Sequence, residues 1–166
     1  MHHHPARTLG SLGETQRHPV DLCVHGVHPL GLPQVVVPGC ADFFNQGEQV
    51  DAAYRDRPQY YHNPTATLVR LNHPEMERLG AMVAARLNEA TGPVLVIAPT
   101  QGFSLCGTNG GALYDPGGDE LFISTLAREL RPDIKLERID ADVNQGEFAA
   151  TVANRFVEMM GARRVP

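Results

Sequence analysis

Cysteine, serine, histidine and carboxylate side chains recur where apolar runs stop, and their types define the chemistry within reach. Cys40 follows Pro38-Gly39, and His62 is a base that could activate its thiol as a nucleophile. A lone cysteine at a strand end is more often a small packing residue, and the nucleophile stands as the alternative reading. Gly102-Phe103-Ser104-Leu105-Cys106 nearly spells G-x-S-x-G, the elbow that presents a nucleophilic serine. That elbow needs a small residue where Cys106 stands, and no histidine follows His73 to complete a Ser–acid–His order. The segment reads instead as a turn whose backbone N–H groups could hold an anion.

His62-Asn63-Pro64, followed by Thr65, Thr67 and Arg70, gathers a titratable ring, an amide, hydroxyls and a guanidinium within one short stretch. Such a set could bind a carboxylate or phosphate, with Arg70 as a bidentate donor. A polar loop turned by Asn-Pro is the plainer alternative. Asp42, Asp140 and Asn144 each follow an apolar run and could orient a sugar hydroxyl or an accompanying metal ion. Gly107, Gly110 and Gly111 make a turn-rich loop that is neither a P-loop nor a dinucleotide fingerprint. Cys23, His25, His28 and His18 have the right atoms for zinc but fit no standard spacing, so no metal site is assigned.

Composition narrows the classes. The 14 basic residues against 19 acidic give a formal charge of -5, and the one basic cluster, Arg55, Arg57 and Arg70, is diluted by Asp51 and Asp56. A phosphate backbone needs clustered cations, so nucleic acid is not expected as a partner. Three cysteines without a CxxC argue against a disulfide framework and for a reducing compartment. No apolar run approaches the roughly 20 residues of a membrane span and no leader pattern is visible, so neither a membrane nor export is expected. The expectation is a soluble, cytoplasmic chain.

The elements that must position these residues are legible from periodicity. Gln34–Val37, Val94–Ala98 and Lys135–Ile139 are short apolar or alternating runs, and the last two are separated by a helical segment, as in a parallel sheet with crossover helices. Val94–Ala98 is uniformly apolar and so central, whereas 134–139 alternates with charge and belongs near an edge. Met76, Leu79, Gly80, Val83 and Leu87 make one stripe of a helix over 74–88, capped by Asn72 with Glu75. Asp115-Pro116 opens a second helix over 117–130, with Phe122, Leu126 and Leu130 inward. A third runs over 146–160, with Asn144 and Glu147 at capping-box spacing and Phe148, Val152, Phe156 and Met159 or Met160 buried. Residues 59–70 read as irregular or short-strand. Residues 1–31 hold six of the eight histidines and no clear period, which predicts a poorly ordered arm, with one short strand over 20–24. Residues 32–166 then form the folded domain.

Val-Val-Val-Pro-Gly-Cys-Ala-Asp (35–42), His-Asn-Pro-Thr-Ala-Thr-Leu-Val-Arg (62–70) and Leu-Gly-Ala-Met-Val-Ala-Ala-Arg-Leu-Asn (79–88) resemble one family. So do Gly-Pro-Val (92–94), Gly-Phe-Ser (102–104), Gly-Gly-Ala-Leu-Tyr-Asp-Pro (110–116) and Asn-Gln-Gly-Glu-Phe-Ala (144–149), all in consistent order. This is the tomato mosaic virus resistance protein-like family of ATP-binding, two-subdomain proteins. The resemblance implies that residues 32–160 are the second subdomain. It also implies that ATP is held mainly by a first subdomain preceding Leu32. It would place an acidic residue where Gly107 stands, a histidine at Asp142 and an aspartate at Gln145.

The expectation is thus an α/β, three-layer Rossmann-like domain with a mostly parallel sheet flanked by helices. Ligands of such folds sit where the loops leave the strand C-terminal ends. The candidate ligand-binding residues are Gly39, Cys40, Asp42, His62, Asn63, Arg70, Gly102, Ser104, Asp140 and Asn144, on loops 38–46, 62–70, 99–111 and 140–146. The expected partners are a nucleotide or small anionic ligand, together with a first subdomain, a partner subunit or a second copy. An enzyme using Cys40 or His62 on a small carboxylate or carbonyl compound, and a purely structural docking subdomain, are the alternatives.

Overall fold

Val94–Pro99 is buried along its whole length, and the rest of the chain is arranged around it. The computed structural model describes residues 31–161. In chain order, β1 is Gln34–Val36, β2 Phe43–Asn45, β3 Gln59–Asn63, β4 Ala66–Arg70, α1 His73–Leu87, β5 Val94–Pro99, α2 Pro116–Glu129, β6 Lys135–Ile139 and α3 Gly146–Gly161. The expected arm, its strand over 20–24 and the Cys23, His25, His28 and His18 set lie outside the described residues.

Strands β1, β5 and β6 form a parallel sheet in the order β1-β5-β6, with Val36 opposite Val96 and Ala98 opposite Arg138. The central position of β5 follows from its composition, because a strand buried on both faces has no place for a polar residue. Val36, Val94, Val96, Ala98 and Leu136 pack in one cluster with Met76, Ala84 and Leu87 of α1 and Phe122 and Leu126 of α2. Val35, Leu95, Ile97 and Ile139 face the other way, onto Phe148 and Val152 of α3.

Helix α1 begins in a capping box: Asn72 Oδ1 accepts from Glu75 N, and the Glu75 carboxylate accepts from Asn72 N, both at 2.9 Å. Helices α1 and α2 meet at Gly80, where a β-carbon would stand 2.8 Å from the Phe122 carbonyl oxygen. Only glycine lets the two backbones come that close. At α3 the sequence expectation needs correction. Asn144 does not cap the helix; its N–H donates to Asp142 Oδ1 at 2.8 Å, and the first helical bond runs from Ala149 N to the Gln145 carbonyl. Phe156, expected to be buried, is 43% exposed, and of the alternatives Met159 and Met160 it is Met159 that packs against the core.

Residues 59–70, expected to be irregular or short-strand, form the two strands of a β-hairpin. β4 pairs antiparallel with β3 on one side and β2 on the other, making a second sheet in the order β2-β4-β3. It is fastened to α1 through Arg57, whose guanidinium forks onto the Glu75 carboxylate (2.6 and 3.1 Å) and lies 4.8 Å from the Tyr54 ring. Among the described residues, no helix is long and apolar enough to cross a membrane.

Candidate functional site

The loops leaving β1, β5 and β6 are tied to one another by backbone hydrogen bonds. Cys40 N donates to the Phe103 carbonyl at 2.7 Å, Val143 N to the Gly102 carbonyl at 3.1 Å, and Gln101 N to the Ala141 carbonyl at 3.0 Å. Gln101 Nε2 adds a bond to Asp140 Oδ1 at 2.6 Å. Loops 37–42, 99–107 and 139–146 thus share one rim, as parallel strands require. Gly39, Cys40, Gln101, Asp140 and Asn144 are exposed on it. Gly102 adopts φ +130, a conformation that side chains resist, and Cys40 at φ 55 is the non-glycine residue with positive φ among those described.

Beneath the rim lies a buried charge cluster. Asp42 is fully buried, and Arg70, Ser104 and Asp119 are each at most 4% exposed. Asp42 Oδ2 accepts from Ser104 Oγ at 2.6 Å and faces Arg70 Nη1 at 3.3 Å. Arg70 Nη2 donates to Asp119 Oδ1 at 2.6 Å and to the Asp115 carbonyl at 3.2 Å. The Asp115 carboxylate caps α2 by accepting from Gly118 N at 3.0 Å, and faces His73 Nε2 at 3.1 Å. Asp42 Oδ1 and Arg70 Nε and Nη1 are buried without a hydrogen-bond partner. One guanidinium therefore links the end of β4, the β1 loop and the first turn of α2.

Burial shifts these groups in different directions. It pushes the Asp119 carboxyl up to about 6, against the hydrogen bond and charge of Arg70. Burial also opposes ionisation of Asp115, but the Gly118 N–H, His73 and Arg70 outweigh it and hold that carboxyl below its ordinary value. The Cys40 and Cys106 thiols are both pushed up, first by burial and then by the Asp42 charge. An activated cysteine nucleophile needs the opposite shift.

The sequence-predicted residues divide accordingly. Gly39, Cys40, Gly102, Asp140 and Asn144 lie on the rim. Asp42, Ser104 and Arg70 lie together just below it, enclosed. His62 and Asn63 sit at the turn of the β3–β4 hairpin, where Asn63 Oδ1 accepts from Thr65 N at 2.9 Å. Arg70 is four residues further along β4, about 13 Å at ~3.3 Å per residue. Ser104 is extended (φ -144, ψ 164), so the strained serine elbow is absent; its Oγ instead accepts from Gly107 N at 3.0 Å and caps a short 3-10 turn.

Comparison with known proteins assigns the whole of this arrangement to one lineage. A family model described as "Uncharacterised protein family (UPF0261) C-terminal domain" matches residues 25–160. The chain belongs to the UPF0261 family. A UPF0261 protein of Clostridium tetani (strain Massachusetts / E88) is 31% identical over 134 residues, which cover 79% of this chain and 33% of that protein. One from Rhizobium meliloti (strain 1021) is 34% identical over 122 residues, covering 71% and 31%. One from Mesorhizobium japonicum is 32% identical over 127 residues, covering 74% and 32%. The chain spans about a third of the length of these curated relatives.

Within this UPF0261 domain, Gly107 has a local reason. A β-carbon there would overlap Asp42 Oδ2 and stand 3.1 Å from Ser104 Oγ, so an acidic side chain is incompatible with the cluster as built. Sequence reasoning missed Asp119 and read Asp115 only as a cap. Their spacing of four residues, one face of a helix, was the available signal. Nothing local linked that face to Arg70, 45 and 49 residues earlier.

Proposed function

We propose that this UPF0261 domain supplies one wall of a small-ligand site whose other wall belongs to the preceding part of the longer relatives. The observation that carries the reading is the single rim formed by the β1, β5 and β6 loops, cross-linked by backbone hydrogen bonds above a buried ion cluster. Such a rim holds its exposed groups in fixed positions, which a binding wall needs.

Its chemistry favours a hydroxylated ligand. Asp140, Gln101 and Asn144 offer carboxylate and amide groups, whereas Arg70 is committed to Asp42 and Asp119. A nucleotide fits if the ribose meets this rim and the phosphates meet the other wall. That division agrees with the resemblance to ATP-binding, tomato mosaic virus resistance protein-like proteins, in which ATP is held mainly by the first subdomain. The raised Cys40 thiol disfavours the alternative of a cysteine enzyme.

The test is thermal stability with Mg-ATP, adenosine and ribose, run on this chain and on the full-length Clostridium tetani relative. A ligand at a hundredfold excess over its dissociation constant adds about 2.7 kcal/mol to the native state. The expected result is a shift with ATP in the relative, and a weaker one with adenosine or ribose in this chain that Asp140→Ala and Asn144→Ala abolish. Silence from all three ligands in both proteins, or shifts that survive both substitutions, would overturn the assignment.

A further inference from the structure

The two faces of the parallel sheet are covered unequally. Two helices, α1 and α2, close over one face, but among the described residues α3 alone lies on the other. Beside α3 runs an open apolar groove lined by Val35 and Val37 of the β1 segment and by Phe148, Val152, Ala153 and Phe156 of α3. Phe156 is 43% and the adjoining Val157 67% exposed. A parallel sheet is stable with both faces covered, so this groove has the composition of an interior.

Two further observations say what belongs there. First, β1 is an edge strand that pairs with β5 and with no other described strand, and its outer edge flanks the groove. Second, the chain enters the described fold directly at the start of that edge strand, alongside the start of β5: Gly31 lies against Gly92, and Gln34 N bonds the Pro93 carbonyl at 2.9 Å. The family match is to a C-terminal domain and the chain covers about a third of each relative, so the remaining two thirds of a relative come mostly before this point. Strands added outside β1 and wound away from it would carry their right-handed crossover helices on the α3 face.

We propose that the β1 edge and the α3 groove are the docking surface for the amino-terminal portion of the UPF0261 polypeptide, which extends the sheet and covers Phe156. The surface is apolar and contiguous with the core, so the contact resembles a core divided in two rather than a transient encounter. It is independent of any ligand at the rim.

Carbene labelling with a photoactivated diazirine, read by mass spectrometry, tests this without isolating a fragment. In this chain, the peptide containing Val152 to Val157 should label strongly. In the full-length Clostridium tetani relative, the aligned peptide should label at least fivefold less. Phe156→Glu should change the thermal midpoint of this chain little, since no second element among the described residues closes over that ring, which is 43% exposed. Equal labelling in the two proteins would overturn the proposal. Labelling of this chain that falls with its own concentration would assign the face to a second copy, and labelling that rises on deletion of residues 1–30 would assign it to that segment. Either result also overturns it.

Discussion

The Ser104 hydroxyl donates to Asp42 at 2.6 Å inside a closed pocket, and Gly107 N donates back to the same hydroxyl at 3.0 Å. This pair joins the β1 loop to the β5 loop and leaves no room at residue 107. Gly107→Ala should therefore destabilise the fold by about 1–3 kcal/mol, the usual cost of overpacking. Urea unfolding would show it. A stability equal to the parent would mean that Asp42 can move aside, and that the pair is looser than its geometry indicates.

Arg70 carries more. Removing it leaves Asp42 and Asp119 buried without a cation, and breaking a buried pair from one side costs about 3–5 kcal/mol. Arg70→Leu should thus unfold at markedly lower denaturant. Arg70→Leu combined with Asp119→Asn should recover part of the loss, because one stranded charge is gone. Unfolding of both variants measures the coupling; simple additivity would contradict the 2.6 Å contact.

The pH dependence has two parts of opposite sign. The folded Asp119 carboxyl, raised from 3.8 to about 6, binds its proton more tightly than in the unfolded chain. Its contribution is full below 3.8 and lost as pH rises through about 6, worth at most about 3 kcal/mol. Asp115 is lowered, so its contribution is present above 3.8 and lost as pH falls through its folded value. From these two groups, stability should peak in mildly acidic solution. Asp119→Asn should flatten the limb between pH 4 and 6 and spare the acid limb set by Asp115, as urea midpoints across pH would report.

How much of this was readable follows from the range of each interaction. The helices were legible because their stripes and caps are local: Met76, Gly80 and Leu87, or Asp115 before Pro116, need no distant partner. Strand β5 was legible because burial on both faces leaves its mark in the composition, and β1 and β6 because short apolar or alternating runs stop at polar turns. The β3–β4 hairpin was not, since its turn is Pro64-Thr65 rather than Asn-Gly, and Tyr60, Tyr61 and His62 are all exposed. Arg70 was read as a ligand donor because the carboxylates it faces, Asp42 on the β1 loop and Asp119 in α2, are far from it in sequence. Phe156 was read as buried because the period of α3 is complete, although its apolar stripe is wider than the surface available to cover it.

Gly80 sets two effects against each other. Replacing a mid-helix glycine by alanine normally gains about 1 kcal/mol in helix propensity. Here the new carbon would stand 2.8 Å from the Phe122 carbonyl oxygen and 3.3 Å from Thr125 Cβ, both on the facing helix. A backbone carbonyl in a hydrogen-bonded helix cannot rotate away, so the overlap should win. Gly80→Ala should be net destabilising by about 1–2 kcal/mol, measured by thermal unfolding. A gain in midpoint would show that α1 and α2 slide freely over each other.

Cys40 holds a left-handed conformation that costs an L-residue about 1–2 kcal/mol, on the exposed rim where a ligand would approach. The backbone is held there by its bond to Phe103, not by the thiol. Cys40→Gly should therefore relieve the strain and stabilise the fold, less about 0.5–1 kcal/mol for the extra freedom of glycine in the unfolded chain. Cys40→Ala keeps the β-carbon and should gain nothing. Comparing the two variants by urea midpoint separates backbone strain from any role of the sulfur. If alanine stabilises as much as glycine, the φ of 55 is not a store of strain, and the sulfur itself is the destabilising feature.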